Sequence, residues 1–480
     1  MPESTGWLAL LITVSGYLLT LILLRWVLLT KKEQPSSTVA WVMAIVLVPV
    51  VGGLLFLIFG INRVDRRARR KAATDRTIER RLPGLSAYQI LSDEIDHPLP
   101  ATLLRLATRT GRTAPTRGNS VKLLTDTNQA MGLIEQAIGA ARESLHLEYY
   151  IWQRDKTGTR IRDLLIDKAK AGVKVRFLFD GVGSMFLTNR FLRPMRDAGI
   201  EVAAFLPGAS VRERWSLNLR NHRKIVVADG RIGFTGGMNI GDEYLGLSRE
   251  RGYWRDAHLR IEGPATLQLQ QIFAEDWYFA TGQPLTDLAL FPEPGEPGDV
   301  VAQIISGGPT GPSNVTRLVL FEAITQARHS IHLTTGYFVP PLELALALEA
   351  AAMRGVKVRL LVPGRSSYLW TIYAGRSYYD SLLAAGAEIY EYQRGAMHSK
   401  TLSVDGQWSL VGSANLDSRS LALNFEAGLA VADQRIAAQL ERQFEQDAGD
   451  SIAIDPIAWE FRPVWRSLAE NTFRMFSPIL

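Results

Sequence analysis

One motif occurs twice in this chain, and the duplication limits the folds that the chain can adopt. The first copy reads Asn-His-Arg-Lys-Ile-Val-Val-Ala-Asp from Asn221, and the second reads Met-His-Ser-Lys-Thr-Leu-Ser-Val-Asp from Met397. Both follow the pattern His-x-Lys-x4-Asp-x6-Gly-[Gly/Ser]-x-Asn, and six positions keep their spacing across an offset of 176 residues. Since chance is a poor explanation for this agreement, we expect two copies of one structural unit.

The histidine and lysine of each copy have the chemistry that phosphodiester transfer needs. The surrounding residues are typical of a β-strand, in which alternate side chains point to one face. His222 and Lys224 therefore share a face, as do His398 and Lys400. Two lysines neutralise the non-bridging oxygens of a phosphodiester, while one imidazole attacks phosphorus and the other protonates the leaving alcohol. This scheme requires neither a metal nor another cofactor.

Three polar residues late in the motif are predicted to bind substrate. Asn239, Asn415 and Ser413 come directly after glycine turns, where their side chains can donate hydrogen bonds to phosphate oxygens. Gly237 stands where the second copy has Ser413. The first copy lacks that hydroxyl, so the two halves are expected to contact the substrate unequally.

The two aspartates of the catalytic motif have a different predicted task. Asp229 and Asp405 are each followed by glycine. Asp-Gly is a turn signature between strands. We therefore expect both aspartates to hold the hairpin, and we give them no chemical step.

Two further acids are candidates for supporting the histidines. A catalytic imidazole usually needs a hydrogen-bond partner that fixes its tautomer. Glu426 in Asn-Phe-Glu-Ala-Gly and Asp256 in Trp-Arg-Asp-Ala-His lie in strand-like segments downstream of the motif asparagines. The alternative for either acid is an ordinary surface salt bridge, and the apolar neighbours of Glu426 make it the better candidate.

The similarity between the two halves extends beyond the motif. Residues 137–147 match residues 323–333, and residues 171–178 match residues 354–361. Each half alternates helices and strands, which is typical of an α/β sheet with helices on its faces. We therefore predict two duplicated α/β sandwich domains that are related by a pseudo-two-fold axis.

The domain boundaries follow from the repeat and from a proline- and glycine-rich segment. We place the first domain at 116–290, a linker at 291–300, and the second domain, with a C-terminal amphipathic tail, at 301–480. The pseudo-two-fold relation places His222 opposite His398.

Two apolar runs precede the duplicated region. They cover about 7–29 and 39–61, and each is near the ~20 residues that span a bilayer. Tryptophans lie close to their ends, as interfacial aromatic residues do. A cleaved signal peptide fits less well because the sequence has no basic n-region and no small-residue cleavage site. We therefore predict two transmembrane helices within residues 1–62.

A basic segment follows the second apolar run, within a connector at 63–115. Residues 62–82 contain nine basic and three acidic residues, and this excess of six equals the net charge of the chain. The positive-inside rule places the catalytic halves in the cytoplasm, although Lys31 and Lys32 oppose that orientation. Such a segment attracts anionic lipid headgroups. A nucleic-acid partner is disfavoured, because the remainder of the chain has no net charge.

Two loops and the C-terminal tail are rich in large apolar residues. The first loop carries Met185, Phe186, Leu187, Phe191 and Leu192. The matching loop carries Tyr368, Leu369, Trp370, Ile372 and Tyr373. These loops either hold acyl chains beside the site or dip into the bilayer, or they simply cover the core. The tail places aromatic residues among arginines, which indicates an interfacial segment or docking onto the domain.

Together these features resemble the phospholipase D superfamily and, within it, the bacterial cardiolipin synthases. The resemblance covers nearly the whole chain and rests on the two-helix anchor and on three segments: Arg-Asn-His-Arg-Lys-Ile, Gly-Gly-Met-Asn-Ile-Gly-Asp-Glu-Tyr and Ser-Ala-Asn-Leu-Asp-Ser-Arg-Ser. It implies that two phosphatidylglycerol molecules are joined into cardiolipin with release of glycerol. It also implies a phosphatidyl-histidine intermediate, for which we take His222 as nucleophile and His398 as acid and base.

Two other functions stay open from the sequence. A phospholipase D-type hydrolase that releases phosphatidic acid needs only water as the acceptor. A non-catalytic membrane protein that binds anionic lipids is a further class, although two intact His-Lys pairs argue against it. The resemblance implies a multi-pass protein of the bacterial inner membrane, with phosphatidylglycerol and anionic lipids as partners.

Overall fold

The computed structural model describes residues 3–30, 35–57, 71, 73, 86–205, 219–248, 252–309, 314–366 and 369–475. The segment before the duplicated region contains helices α1 (Glu3–Thr30), α2 (Pro35–Leu47), α3 (Pro49–Leu55) and α4 (Pro98–Thr110) and short 3₁₀ helices at Ser86–Tyr88 and Ser92–Glu94.

The N-terminal helices follow the two apolar runs. Helix α1 covers the first run, whereas the second run is divided between α2 and α3 at Pro49. Proline disfavours helical backbone at the preceding residue and cannot donate a helical hydrogen bond, and Val48 is accordingly non-helical. Within the described ranges, no helix combines the length and the apolar character that crossing a bilayer requires. Residues 58–61, the end of the second predicted span, lie outside those ranges.

The basic segment 62–82 is described at Lys71 and Ala73, and its other residues lie outside the described part. Lys71 is only 1% exposed. Its ammonium lies 2.7 Å from the carboxylate of Asp276 in the first half. This lysine is therefore part of the protein interior, and its charge does not face lipid. The predicted orientation rests on the residues outside the described part.

The first half alternates strands and helices, as the sequence predicts. Its elements are β1 (Thr116–Leu124), α5 (Thr127–Ala140), β2 (Ser144–Tyr149), α6 (Lys156–Lys170), β3 (Lys174–Asp180), α7 (Asn189–Asp197), β4 (Glu201–Phe205), β5 (Arg220–Asn221), β6 (Lys224–Ala228), β7 (Ile232–Gly236), a 3₁₀ helix (Asp242–Leu245), β8 (Trp254–Arg255), β9 (His258–Glu262) and α8 (Pro264–Thr281).

The second half follows a 3₁₀ turn at Leu288–Leu290 and repeats this order. Its elements are β10 (Val300–Gly307), α9 (Val315–Gln326), β11 (Ser330–Thr334), β12 (Phe338–Val339), α10 (Leu342–Met353), β13 (Lys357–Pro363), α11 (Leu369–Arg376), α12 (Tyr379–Ala384), β14 (Glu388–Tyr392), β15 (Ala396–Met397), β16 (Thr401–Val404), β17 (Trp408–Gly412), β18 (Leu416–Asp417), β19 (Asn424–Ala432), α13 (Gln434–Gly449), β20 (Ser451–Ala453), α14 (Pro456–Glu460) and α15 (Val464–Arg474).

The two halves have the same strand order and share one sheet. In the first half the order is β4-β3-β2-β6-β7-β9-β1, and in the second it is β14-β13-β11-β16-β17-β19-β10, with β20 added at the edge. Strands β1 and β10 pair with each other in antiparallel orientation, and so join the halves. The predicted duplication of an α/β unit is confirmed by this matching order.

Helices cover both faces of the sheet because the buried strands are apolar on both sides. In β6, Val226 belongs to a core cluster with residues of α5, α6 and α7. Val227, the next residue, belongs to a second cluster with Leu269 of α8. This second cluster also contains Val411 and Leu429 of the second half, so the two halves share one core.

The motif aspartates lie at matching turns, at the end of each hairpin distant from its histidine. Asp229 accepts hydrogen bonds from the backbone N–H groups of residues 142, 143 and 144, at 2.8 to 2.9 Å. Asp405 accepts the equivalent bonds from residues 328, 329 and 330, at 2.7 to 2.9 Å. Both have positive φ, 52° and 54°, which aspartate tolerates better than most residues do. Each aspartate therefore ties its hairpin to the strand beside it.

We expect Asp405→Ala to lower the free energy of unfolding by about 1–3 kcal/mol, because three backbone N–H groups lose a charged acceptor. Asp405→Asn keeps an acceptor oxygen and tolerates positive φ, so its loss is expected to be smaller. Denaturant unfolding measures both. Turnover per folded molecule is expected to stay within about twofold of the wild type, since the turn is remote from the histidines. A large fall in turnover of well-folded Asp405→Asn would contradict the structural role.

Candidate active site

Short parallel strand pairs bring each histidine next to an acid from the other half. Strand β5 pairs with β19, so that Asn221 lies opposite Phe425, and the N–H of His222 donates to the Phe425 carbonyl at 2.9 Å. Strand β15 pairs with β8 in the same manner, and the N–H of His398 donates to the Arg255 carbonyl at 2.8 Å. The residue after each acceptor is one of the two candidate acids, Glu426 and Asp256.

Each histidine is hydrogen-bonded to the acid that this pairing places beside it. Nδ1 of His222 lies 2.9 Å from Oε2 of Glu426. Nδ1 of His398 lies 2.7 Å from Oδ2 of Asp256. Both histidines are 7% exposed, and both acids are buried. Because the acids hold Nδ1, each ring has Nε2 on its opposite side for reaction.

Aromatic side chains hold the outer faces of the two rings. Tyr150 contacts His222 edge to face, with ring centroids 4.7 Å apart. The ring centroids of Trp254 and His398 are 5.0 Å apart. The Tyr244 hydroxyl is 3.4 Å from Nδ1 of His398. These three residues were not identified from the sequence. Their signal was weak, because a single aromatic residue in a sequence is ordinarily part of the core.

Burial sets the protonation of both imidazoles. It lowers the pKa of His222 to about 4, against the opposing charge of Glu426. It lowers the pKa of His398 to about 3, with a further contribution from the charge of Lys400. Both rings are therefore neutral at pH 7 before substrate binds. A neutral imidazole is the form that attacks phosphorus, and an anionic phosphodiester would raise the pKa of the ring that must donate a proton.

The two motif lysines are also buried, and each contacts the backbone of its own histidine. Lys224 Nζ donates to the His222 carbonyl at 2.6 Å, and Lys400 Nζ donates to the His398 carbonyl. Burial lowers the pKa of Lys224 to about 7, although the charge of Glu426 opposes this shift. Burial likewise lowers the pKa of Lys400 to about 8, opposed by Asp256. In a low-dielectric site a protonated lysine attracts an anion strongly, and the anion in turn favours the protonated form of the lysine.

The motif asparagines face the cleft, but the motif serine does not. Asn239 and Asn415 both line the cleft that contains the histidines. The Ser413 hydroxyl instead donates to the carboxylate of Glu426 and accepts from the Ala427 N–H at 3.0 Å. The expected contact between Ser413 and phosphate is therefore replaced by support of Glu426, because a buried carboxylate is the stronger acceptor.

The same geometry explains the glycine at the matching position of the first copy. A Cβ atom on Gly237 would lie 2.1 Å from a carboxylate oxygen of Asp256. The carboxylate that reaches His398 occupies the space that a side chain there would need. The difference between Gly237 and Ser413 thus follows from the space around the two supporting acids.

The two histidines line one cleft of about 590 Å³. Its wall includes apolar residues of both predicted loops, namely Met185, Phe186 and Trp370. Met185 and Phe186 are 65% and 64% exposed, whereas Leu187, Phe191 and Leu192 are buried. The beginning of the first loop therefore lines the cleft, and its end packs in the core. Tyr368 of the second loop lies outside the described residues.

This arrangement defines a phosphodiester-transfer site of the phospholipase D type. A family profile described as "Cardiolipin synthase, PLD-like domain" matches residues 133–277 and 320–448. A second profile, described as "Phospholipase_D-nuclease N-terminal", matches residues 18–60. The chain therefore belongs to the cardiolipin synthase family.

Similar proteins agree with this assignment. The chain is 38% identical to "Cardiolipin synthase 1" of Bacillus anthracis over 476 residues, covering 96% of this chain and 92% of that protein. It is also 38% identical to "Cardiolipin synthase" of Alkalihalophilus pseudofirmus over 470 residues, covering 97% and 93%. Among solved structures, phosphatidylserine synthase of Haemophilus influenzae superposes with a TM-score of 0.59 at 18% identity, covering 75% of this chain and 93% of that one. The last similarity concerns the fold alone.

We expect kcat/KM to fall as the pH rises through about 7 to 8, because the lysines then lose the charge that binds phosphate. On the acid side we expect activity to persist until about pH 4, where His222 becomes protonated. The check is a pH profile of kcat/KM for wild type, Lys224→Arg and Lys400→Arg. Arginine does not deprotonate in this range, so these substitutions are expected to move the descending limb to higher pH. An unmoved limb in both variants would assign it to another group.

Proposed function

We propose that this protein condenses two molecules of phosphatidylglycerol into cardiolipin and glycerol, in a single cleft that uses both histidines. The observation that carries the proposal is the pair of His–acid contacts that face one cleft, in a chain of the cardiolipin synthase family. We also propose that the catalytic units are residues 116–290 and 301–480, joined by a linker at 291–300.

In the first step, Nε2 of His222 attacks the phosphorus of one phosphatidylglycerol. A phosphorus–nitrogen bond forms and the bond from phosphorus to the glycerol oxygen breaks. His398, which takes up a proton at Nε2 when the anionic phosphodiester binds, gives that proton to the glycerol oxygen. The product is a phosphatidyl-histidine and free glycerol. Glu426 and Asp256 hold the tautomers of the two rings and stabilise the imidazolium that each ring becomes.

In the second step, His398 removes the proton from a glycerol hydroxyl of the second phosphatidylglycerol. That oxygen attacks phosphorus, the bond to His222 breaks, and cardiolipin is formed. Lys224 and Lys400 stabilise the charge on the non-bridging oxygens in both steps. Asn239 and Asn415 line the same cleft, and the Asn239 amide is held by donating from Nδ2 to the Tyr244 hydroxyl at 3.1 Å. The proton that His398 gives in the first step returns in the second, so the cycle closes.

Lipid access is supported by the exposed apolar surface beside the cleft. Helix α15 has one apolar face formed by Val464, Trp465 and Leu468, which are 83%, 59% and 68% exposed. The Phe473 ring of α15 stacks on the Tyr373 ring of α11, with the ring centroids 5.7 Å apart. Helix α11 also contributes Trp370 to the cleft wall. Helix α15, which carries this apolar face, therefore packs on the helix that borders the site.

The charges of α15 suit an anionic membrane surface. Glu470, its one carboxylate, is 1% exposed and paired with Arg462 at 3.1 Å. Arg466 lies over the ring of Trp465 at 5.4 Å. A helix with tryptophan and leucine on one face and arginine beside it is typical of interfacial binding. We propose that this face rests on the bilayer.

The N-terminal helices are proposed to anchor the protein in the same membrane. Within their described part, α1 to α3 expose many large apolar side chains, such as Leu21, Ile22 and Val50 at 62%, 60% and 84%. Exposure of such a large apolar surface to water is unfavourable, whereas the acyl chains of a membrane would cover it. We propose the bacterial inner membrane as the location, with the catalytic halves in the cytoplasm.

The first test uses purified protein in detergent with phosphatidylglycerol, and products resolved by mass spectrometry. We expect cardiolipin and glycerol from the wild type, and a loss of about 10³-fold or more in His222→Ala and His398→Ala, because each removes a reacting group. His329→Ala, at an exposed histidine, is the control that keeps activity. Phosphatidic acid alone would make the protein a hydrolase, and activity in either motif variant would contradict the mechanism.

The order of the two histidines is tested by quenching turnover with a denaturing detergent at alkaline pH, where a phosphorus–nitrogen bond persists. We expect the phosphatidyl group on the peptide that contains His222, and its accumulation in His398→Ala with a lipid whose leaving group needs no proton. A phosphatidyl group on His398 would reverse the two roles.

The membrane contact of α15 is tested with single cysteines, since the chain has none of its own. We expect an environment-sensitive label on Leu468→Cys to shift to the blue by about 20 nm or more in phosphatidylglycerol vesicles, because the helix face enters the apolar interface. Leu288→Cys is the control: Leu288 is 72% exposed, and its segment packs on the Gly230 turn, far from the histidines. Equal spectra at both positions would contradict the contact, and concentration-dependent quenching would indicate a second copy there.

A further inference from the structure

Two buried arginines bind the backbone of the two supporting acids. Nε of Arg223 donates to the carbonyl of Glu426 at 3.3 Å. Nη1 of Arg255 donates to the carbonyl of Asp256. Arg223 and Arg255 are 4% and 6% exposed. The two acids that hold the histidines are thus themselves held by guanidinium groups.

Each arginine is in turn fixed by an aspartate on a helix behind the site. Arg223 is ion-paired with Asp276 of α8, and its Nη2 also donates to Ser306 Oγ at 2.5 Å. Arg255 is ion-paired with Asp447 of α13 at 3.0 Å, and its Nη1 also donates to the Thr125 carbonyl at 2.6 Å. A guanidinium is rigid and planar, so several contacts of this kind fix its position.

The two aspartates occupy matching places in the duplicated halves. Asp276 follows Phe273 by three residues in α8, and Asp447 follows Phe444 by three residues in α13. Helix α8 comes directly after the strand that follows Asp256, and α13 comes directly after the strand that contains Glu426. The arginines, in contrast, come from different strand positions, since Arg223 follows His222 and Arg255 precedes Asp256.

Each of the two units crosses the boundary between the halves. Arg223 and Asp276 belong to the first half and hold the carbonyl of Glu426, which belongs to the second. Arg255 belongs to the first half and reaches Asp447 of the second. Because each His–acid contact also joins the two halves, a small shift between them would misalign both contacts.

We propose that Arg223–Asp276 and Arg255–Asp447 are positioning pairs, which hold Glu426 against His222 and Asp256 against His398. This inference rests on the proposed use of both histidines. The arginines touch neither the histidine rings nor the substrate cleft, and they act through the backbone of the acids. Loss of alignment of about 1 Å at such a site costs up to about 10²-fold in rate.

The test compares Arg223→Lys and Arg255→Lys with the wild type, measuring glycerol release from phosphatidylglycerol. Glycerol is released in both lipid transfer and hydrolysis, so this readout stays valid if the acceptor proves to be water. Lysine keeps the charge beside Asp276 or Asp447 but lacks the planar fork. We expect kcat to fall about 10-fold in each variant, with KM within about twofold.

The positioning role predicts which combinations of substitutions are additive. Arg223→Lys is expected to change kcat by less than about twofold in a Glu426→Gln background, because the contact through which it acts is already impaired. In an Asp256→Asn background it should keep its full effect. Arg255→Lys should show the reverse dependence. Equal effects in both backgrounds would overturn the proposal.

A pH profile separates positioning from loss of folded protein. The charge of Glu426 raises the pKa of His222, so a displaced Glu426 should move the acid limb of kcat/KM to lower pH in Arg223→Lys. Arg376→Lys is the matched control, since Arg376 forms a two-bond pair with Glu391 at 2.8 and 2.7 Å and contacts neither supporting acid. An unshifted acid limb in Arg223→Lys, or a fall in kcat of Arg376→Lys as large as that of Arg223→Lys, would show a purely structural effect.

Discussion

The active site depends on the pairing of each histidine strand with the acid strand of the opposite half. The backbone bonds from His222 to Phe425 and from His398 to Arg255 set the register of these pairs. In that register the next side chain, Glu426 or Asp256, meets Nδ1 of the histidine. Within a single half the histidine therefore lacks its supporting acid, because that acid comes from the other half. The joined sheet and the shared core are what complete the chemistry.

The two copies have diverged where the geometry of the acids differs. Glu426 leaves room for Ser413 beside it, whereas the Asp256 carboxylate excludes any side chain at Gly237. The ring contacts differ as well, since Tyr150 of the first half covers His222 and Trp254, also of the first half, covers His398. The pseudo-two-fold relation thus describes the backbone and the reacting groups, while the supporting contacts follow local space.

The buried charges of the site are balanced for an incoming anion. Burial lowers the pKa of both lysines and both histidines, and two carboxylates oppose these shifts. A phosphodiester brings the negative charge that favours protonated lysines and a protonated acid histidine. Binding of the phosphodiester therefore offsets the effect of burial, because it favours the protonated forms that burial disfavours. Apolar side chains at the mouth of the cleft, such as Phe186 and Trp370, suit the lipid that carries it.

The sequence by itself determined the duplication, the α/β class, the two His-Lys pairs and the turn role of Asp229 and Asp405, because spacing and periodicity are local properties. Only the tertiary structure decided which acid serves which histidine, since these partners are 204 and 142 residues apart. It also decided that Ser413 supports Glu426 and that Lys71 is buried against Asp276. The His–acid contacts depend on how the two halves pack, and the contact of Ser413 depends on the pairing of β17 with β19. No local sequence pattern encodes either arrangement.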